Sequence, residues 1–180
     1  METIALFGGS FDPPHIGHKA IVEALDELEF IDKTVVMPTH LNPFKSKSYA
    51  SSELRFRWLN EIFQHLSSVE INNYEVAQKR KVTTLESVKY LLTKYRKIYL
   101  VIGADNVASL PNWSNYNELS NLVTFIVASR DNININNKYL KLDIDENISS
   151  SELREVMKSS KLPKVCAVEI EKYYKETNER

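Results

Sequence analysis

Three features of the sequence predict an α/β fold in which helices flank a mostly parallel sheet. Runs that are apolar on both faces, as in strands buried within a parallel sheet, occur at residues 3–7, 98–103 and 122–127. Segments of helix length separate these runs and carry apolar residues at helical spacing. At 180 residues the chain fits one domain with a sizeable core, and it shows neither a linker nor an internal repeat. The expected architecture is a single Rossmann-like, doubly wound domain over residues 1–180.

The predicted strands and helices alternate along the chain. The strand at 3–7 leads into a helix that carries Ala20, Leu25 and Leu28 on one side. The strand at 34–37 closes at Pro38, and a loop over 38–50 follows because it is rich in residues that break regular structure. The later elements are expected as a helix from 51 or 52 to 66, a strand beginning at 69–71, a basic loop at 78–81, a helix from 84 to about 95, a strand at 98–103, a short helix ending before Pro111, a strand at 122–127, an exposed loop at 131–137, a weak edge strand at 138–143, and helices beginning at 149 and at about 164.

Composition narrows the class of partner and the compartment. The chain has 23 basic and 24 acidic residues, a net charge of −1, so no bulk positive field favours nucleic acid. The single cysteine, Cys166, excludes an internal disulfide and is expected to be a packed thiol. No segment resembles a signal peptide and no apolar run reaches membrane-spanning length. We therefore expect a cytoplasmic protein that binds neither nucleic acid nor membrane.

The segment 7–18 is the most informative stretch of the sequence. Gly8 and Gly9 follow the first strand at a place where the backbone must bend or come close to something. His15 and His18 then flank the first turn of the next helix, where unpaired N–H groups and the helix dipole favour an anion. Taken singly, the glycines can be a turn and each histidine can be structural. Together they predict a phosphate-binding turn between strand and helix.

Other polar residues fall at the ends of predicted strands. The loop after Met37, the segment 103–105 and the pair Ser129 and Arg130 each follow an apolar run. Since ligands bind at the carboxyl ends of strands in doubly wound sheets, these segments are expected to meet the turn at 7–18. The serines at 149–151, with Arg154, also offer phosphate donors. Serines at a helix start are usually only caps, so this cluster remains ambiguous when taken alone.

The segment Gly-Gly-Ser-Phe-Asp-Pro-Pro-His-x-Gly-His at 8–18 resembles the signature of the nucleotidylyltransferase superfamily, and in this narrow form the nicotinate-nucleotide adenylyltransferase family. A second stretch, Ile-Ser-Ser-Ser-Glu-Leu-Arg at 148–154, is similar to that family's Ile-Ser-Ser-Thr-x-Ile-Arg. A third, Gly103-Ala104-Asp105 with Leu110 and Trp113, resembles its Gly-x-Asp and Leu-x-x-Trp pattern. The resemblance covers nearly the whole chain.

The resemblance implies roles for individual residues. His15, His18, Lys45 and Arg154 are expected to be catalytic. Trp113 would stack on a pyridine ring, as suits an indole; the alternative is that it is a core residue. ATP is expected to bind at Gly8, Gly9, Ser10, Phe11, His15, His18, Gly103, Asp105, Ser149, Ser150, Ser151 and Arg154, and the second substrate at Ser10, Phe11, Lys45, Thr84, Asp105, Trp113 and Arg130.

This chain departs from the family pattern in two places. The family often has Pro-Pro-His-Lys in the loop after the second strand, whereas here it is Asn-Pro-Phe-Lys at 42–45, so only Lys45 is carried over. The family's Ser-Tyr-Thr segment matches here only at Thr84, since Thr83 replaces the tyrosine. The shape of the substrate pocket near Phe44 and Thr83 is therefore open.

The implied reaction is transfer of AMP from ATP to nicotinate mononucleotide, giving nicotinate adenine dinucleotide and pyrophosphate. Mg²⁺ is expected with ATP, held by phosphate oxygens and water rather than by a protein site. The His-x-x-His spacing alone could suggest zinc, but further ligands are too few. The alternatives are a nicotinamide-mononucleotide, phosphopantetheine or cytidylyl transferase, and a non-catalytic nucleotide-binding module. Preference between the two pyridine mononucleotides stays open, as does assembly into a homo-oligomer.

Overall fold

The computed structural model of the chain describes residues 1–129, 135–146 and 148–178. Within these residues the strands are β1 (Thr3–Gly9), β2 (Lys33–Pro38), β3 (Val69–Ile71), β4 (Lys97–Gly103), β5 (Thr124–Ser129) and β6 (Leu140–Asp143). They form one sheet in the order β3-β2-β1-β4-β5-β6, and every neighbouring pair is parallel. The predicted parallel α/β fold is confirmed, and the weak edge strand joins the sheet as β6.

Helices cover both faces of this sheet. They are α1 (Ile16–Asp26), α2 (Ser52–Phe63), α3 (Tyr74–Gln78), α4 (Thr84–Leu92), α5 (Tyr116–Leu122), α6 (Ser150–Glu155) and α7 (Ala167–Asn178), with 3₁₀ turns at Ala104–Asn106, Leu110–Asn112 and Ser159–Lys161. In the described residues none of these helices is long and apolar enough to cross a bilayer.

Alternation along β1 explains the two-layer core. Ala5 and Phe7 point to one face and pack with α1, α2 and α7, whereas Ile4 and Leu6 point to the other and pack with α4 and α5. Successive side chains of a strand point to opposite faces, so a strand apolar at every position needs helices on both sides. The expected packing of Cys166 is also confirmed: it is 2% exposed, and burial raises the pKa of its thiol to about 12.

Three local expectations were wrong. Helix α3 was not predicted, and the basic loop expected at 78–81 starts inside it, because five residues are too few to show helical spacing. The helix expected before Pro111 is a pair of 3₁₀ turns, and Pro111 lies within the second, where its missing N–H leaves no hydrogen bond unmade. Strand β5 begins at Thr124 rather than at 122, since Leu122 ends α5.

The strand order places a crevice at the carboxyl ends of β1 and β4. From β1 the chain winds outward through β2 and β3, then crosses back to β4 on the other side of β1. The loops after β1 and β4 therefore diverge from neighbouring strands, which opens a space between them. The predicted site residues of both loops border this space.

Candidate active site

A cleft of about 340 Å³ opens at this edge of the sheet. It brings together many of the residues expected from sequence: Gly8, Gly9, Ser10, Phe11, His18, Lys45, Thr84, Gly103, Asp105, Trp113 and Ser150. A larger cavity of about 520 Å³ lies between α1, α2 and the segment before α7, and it contains none of the predicted residues. We therefore take the smaller cleft as the candidate active site.

Some predicted residues do not line this cleft. His15, Ser149, Ser151 and Arg154 are not among the residues that line it. Arg130 falls outside the described residues, as does most of the loop expected at 131–137. The segments that sequence placed at strand ends thus converge, but not every side chain within them faces the same space.

The turn after β1 bends at a residue other than its glycines. Gly8 and Gly9 lie within β1, and the left-handed backbone conformation occurs at Phe11, with φ of 49°. A Cβ on Gly9 would lie 3.2 Å from the Phe11 ring. Gly9 is therefore needed because the Phe11 ring packs closely against it, and not because the backbone bends there.

His15 and His18 form a reciprocal cap at the start of α1. His15 Nδ1 accepts from the backbone N–H of His18 at 3.4 Å, and His18 Nδ1 accepts from that of His15 at 3.2 Å. Their rings stack with centroids 3.6 Å apart, and His18 also packs on the Phe11 ring. We assign Nε2–H to both neutral rings because each Nδ1 accepts. His15 is 3% exposed, so His18 is the histidine that reaches the cleft.

Gly17 explains why a glycine separates the two histidines. A Cβ there would lie 3.0 Å from both His15 Nδ1 and Ile148 Cγ2. Ile148 directly precedes the serine cluster, so the absence of a side chain at Gly17 lets that segment dock against α1. The two stretches that resemble the family are brought into contact at this point.

The serine cluster has mainly capping contacts. Ser149 and Glu152 form a capping box at the start of α6, and the Ser150 hydroxyl donates to the Pro13 carbonyl at 2.9 Å. Arg154 donates to the carbonyl of Asp12 and to the Ser151 hydroxyl. Of the three serines only Ser150 lines the cleft. Ser149 is thus a helix cap, as serines at a helix start usually are. Ser151 accepts from Arg154 and so helps to hold its side chain in place.

Lys45 is one of two lysines, with Lys47, on the loop between β2 and α2. It lines the cleft, and burial lowers its pKa, with the positive charge of Arg154 lowering it further. The positive charges of Lys45 and Arg154 therefore repel one another. An anion between them relieves that repulsion, which favours binding of a polyphosphate.

The end of β4 supplies the opposite wall. Gly103 precedes the 3₁₀ turn that carries Asp105, and both line the cleft. Trp113 ends the second 3₁₀ turn, packs against the apolar layer that contains Leu110 and also borders the cleft. The core and binding interpretations of Trp113 are therefore compatible.

Helix α4 begins at Thr84, which lines the cleft, while Thr83 caps the helix by accepting from the N–H of Glu86 at 3.3 Å. Thr83, which stands at the position of the family's tyrosine, does not line the cleft, whereas its neighbours Val82 and Thr84 do. Phe44, the other departure from the family pattern, borders the cleft and is 73% exposed.

Sequence analysis missed a buried clamp behind the cleft. The Asp12 carboxylate accepts from the N–H groups of Tyr49 and Ala50, at 2.8 and 3.0 Å, and from the hydroxyl of Tyr174 on α7. Burial and the charge of Asp12 raise the pKa of the Tyr174 hydroxyl, which therefore stays protonated and donates. The clamp holds the loop that carries Lys45.

Arg55 completes the clamp from α2. Fully buried, it donates to the carbonyls of Ser10, His40 and Ala50, at 2.6, 3.0 and 3.1 Å. Burial lowers its pKa while the charge of Asp12 raises it. The available signal was spacing, since Arg55 lies three and four residues before the buried Trp58 and Leu59 and so shares their face.

Glu75 and Ser87 are further cleft residues that sequence analysis did not single out. Neither lies at a strand end, and each belongs to a helix. Among the described residues no group of three or more His, Cys, Asp and Glu could hold a metal ion. The cleft offers anions the charge of Lys45 and the N–H groups at the start of α1, and the indole of Trp113 borders the same space.

Known proteins resemble this chain in sequence. The model of the cytidylyltransferase-like family matches residues 6–156. A protein of Sulfurimonas denitrificans named "probable nicotinate-nucleotide adenylyltransferase" is 60% identical over 98% of this chain and 97% of its own length. A protein of the same name from a Nitratiruptor species is 47% identical over 96% of this chain and 98% of its own length.

Solved structures share the fold. The nicotinic acid mononucleotide adenylyltransferase of Plasmodium falciparum, complexed with NaAD, superposes with a TM-score of 0.77 over 99% of this chain and 97% of that one, at 21% identity. The same enzyme complexed with APC gives a TM-score of 0.74 at 20% identity, over 99% and 96% of the two chains.

Proposed function

The chain belongs to the nicotinate-nucleotide adenylyltransferase family, and we propose that it transfers AMP from ATP to nicotinate mononucleotide. The observation that carries this proposal is the single cleft that His18, Lys45, Asp105 and Trp113 line together. It offers donors for phosphates at one wall and a flat aromatic surface at the other, as a pyridine mononucleotide requires.

The proposed step is an in-line displacement at phosphorus. A 5′-phosphate oxygen of the mononucleotide attacks the α-phosphorus of ATP, and the bond from that phosphorus to the bridging oxygen of the β-phosphate breaks. The bond electrons leave with pyrophosphate, and the products are nicotinate adenine dinucleotide and pyrophosphate. No protein nucleophile is needed, so the protein contributes position and charge stabilisation.

We assign the donors as follows. His18 donates from Nε2 to the reacting α-phosphate, at the amino end of α1 where the helix dipole also favours negative charge. His15, buried and stacked on His18, acts by holding its ring in place. Lys45, supported by Arg154, neutralises the triphosphate as charge moves towards pyrophosphate.

The remaining roles concern binding. The amides of residues 8–11 and the hydroxyl of Ser150 would contact ATP phosphates, and Asp105 would accept from a ribose or adenine donor. Thr84 and Trp113 would hold the pyridine ring. Mg²⁺ enters as the MgATP complex, held by phosphate oxygens and water, beside a cleft wall whose ionisable side chains include Lys45 and Asp105.

Four further expectations remain proposals. The chain is a single nucleotidylyltransferase domain over 1–180, which the family match over 6–156 supports. It works in the cytoplasm, where ATP is available and a reduced Cys166 is stable. It binds no nucleic acid, in keeping with its net charge of −1. The chain can also assemble into a homo-oligomer, which a measurement of molar mass by light scattering would test.

Pyrophosphate release tests the function directly. The purified chain with Mg²⁺ is incubated with ATP or CTP and with nicotinate mononucleotide, nicotinamide mononucleotide or phosphopantetheine. We expect the highest kcat/KM with ATP and nicotinate mononucleotide. Absence of pyrophosphate with either pyridine mononucleotide overturns the proposal, and turnover with CTP or phosphopantetheine alone reassigns the chain within its superfamily.

A further inference from the structure

Glu75 is a buried carboxyl group in the wall of the cleft that the proposed reaction does not use. It is 6% exposed, and its Oε1 accepts from the Ser87 hydroxyl at 2.6 Å. Its other oxygen, Oε2, is buried and has no hydrogen-bond partner among the described residues. Buried polar atoms in native proteins are nearly always paired, so an unpaired one at a binding cleft calls for a partner.

The position of Glu75 points to the pyridine ring. Ser87 lies three residues after Thr84 on α4, so the two side chains share one face of the helix. Glu75, bonded to Ser87, therefore lies within about one helical turn of Thr84. Both residues line the cleft together with Trp113, the proposed stacking partner of the ring.

The surroundings of Glu75 favour its neutral form. Burial raises its pKa to about 7; the hydrogen bond from Ser87 lowers the pKa and the charge of Glu86 raises it. Glu86 itself is ion-paired with Arg80.

The other elements against α3 are β2 and α2. The charged side chain of β2, Lys33, pairs with Glu2 and Glu70. In α2, Glu53 accepts from Ser52 and Arg55 donates to backbone carbonyls. Arg57 and Glu61, also in α2, pair with each other. The ionisable side chains on the cleft wall besides Glu75 are His18, Lys45 and Asp105.

We propose that Glu75 is a specificity-determining residue, whose carboxyl group contacts the substituent on the pyridine ring of the mononucleotide. This inference rests on the proposed function. In its neutral form Glu75 donates a hydrogen bond from Oε2 to the carboxylate of nicotinate. In its ionised form it repels that carboxylate, whereas the amide of nicotinamide can pair with either form, since its N–H donates to the carboxylate and its carbonyl accepts from the carboxylic acid. The protonation state of one side chain thus sets which mononucleotide is preferred.

The preference for nicotinate over nicotinamide mononucleotide depends on the protonation of Glu75. Below about pH 7 the free protein already carries the proton on Glu75, so nicotinate binds without proton uptake. Above it, each bound nicotinate must take up one proton, which weakens binding about tenfold per pH unit. Nicotinamide binding does not require that proton. Preference for nicotinate therefore falls as pH rises.

The test is the ratio of kcat/KM for nicotinate mononucleotide to that for nicotinamide mononucleotide, measured with MgATP from pH 6 to 9. Both substrates carry the same phosphate and meet the same histidines, so those titrations cancel in the ratio. We expect a constant ratio below about pH 7 and a fall of about tenfold per unit above it. A ratio independent of pH overturns the inference.

Two variants separate this role from a structural one. Glu75→Gln keeps an acceptor for Ser87 and an N–H donor for the ligand, so its ratio should be constant over the whole range. Ser87→Ala removes the bond that lowers the pKa of Glu75, so the fall should begin at higher pH. Glu118→Gln, an exposed carboxylate paired with Lys89, is the matched control and should follow the wild type.

The outcomes are distinct. An unchanged pH dependence in Glu75→Gln overturns the inference. If Glu75→Gln fails to fold by circular dichroism, Ser87→Ala decides, and a midpoint that does not move upward overturns it. Failure of the proposed function looks different, because no pyrophosphate then forms from either mononucleotide at any pH.

Discussion

The two sides of the cleft are held by different kinds of contact. On the β1–α1 side, side chains bond to backbone: His15 and His18 cap one another's N–H groups, and Asp12 accepts from two amides. On the α3–α4 side the key bond joins two side chains, Glu75 and Ser87, and leaves an oxygen without a described partner.

This difference matches two tasks. A reacting phosphate is the same in every substrate and needs donors fixed in place before it binds, which backbone ties provide. The ring substituent is what distinguishes one mononucleotide from another. A wall whose polar contacts depend on a few side chains can change its selectivity by one substitution, while the phosphate side stays intact.

The largest effect is expected at His18. His18→Asn keeps an acceptor for the N–H of His15 but removes the Nε2 donor. We expect kcat to fall about 10³-fold, as for loss of one preorganised donor at a reacting centre, with little change in the free energy of unfolding. Steady-state pyrophosphate release and thermal melting measure the two. The half-buried neighbour Lys19, which pairs with Glu23, is the control when changed to Ala. An active His18→Asn would remove His18 from the chemistry.

A smaller effect, on stability, is expected at Asp12. Asp12→Asn places an amide where the carboxylate accepts three hydrogen bonds, and it withdraws the charge that faces buried Arg55. We expect the free energy of unfolding in urea to fall by about 3 kcal/mol, because buried charged networks lose most when one member is removed. The exposed pair partner Asp143, changed to Asn, should cost little. Equal losses would mean that the clamp does not hold the β1–α1 side.

The smallest expected effect is on the pH dependence of stability at Glu75, on the α3–α4 side. Its folded-state pKa of about 7 exceeds the ordinary value, so its contribution to stability is present at low pH and is lost as pH rises through 7. The stability of Glu75→Gln relative to wild type should therefore grow by about 2 kcal/mol between pH 5 and pH 8. Urea unfolding at both pH values measures this. A constant difference would show that Glu75 titrates as an exposed carboxyl does.

The local structure of the β1–α1 side could be predicted because the residues that build it are contiguous in sequence. The segment 7–18 contains the strand end, the glycines and both histidines, and local rules for helix starts place an anion there. Strands β4 and β5 were equally clear, since buried parallel strands are continuous apolar runs. These patterns need no knowledge of distant contacts.

The α3–α4 side and the clamp behind the cleft could not be predicted, because their contacts join residues far apart in sequence or lie in short elements. Glu75 lies in a five-residue helix and meets Ser87 twelve residues later. Arg55 is a cation on an apolar helix face, against the usual exclusion of charge from the core. Asp12 lies within the segment 7–18, but its partner Tyr174 is 162 residues away in sequence. Pairings over such distances follow from the packing of the whole sheet.

The bond between Asp12 and Tyr174 also links the turn after β1 to the last helix that the structure describes. Asp12 in turn accepts from the amides of Tyr49 and Ala50, at the end of the loop that carries Lys45. A change in the packing of α7 is therefore felt at Lys45, although the two are far apart in sequence.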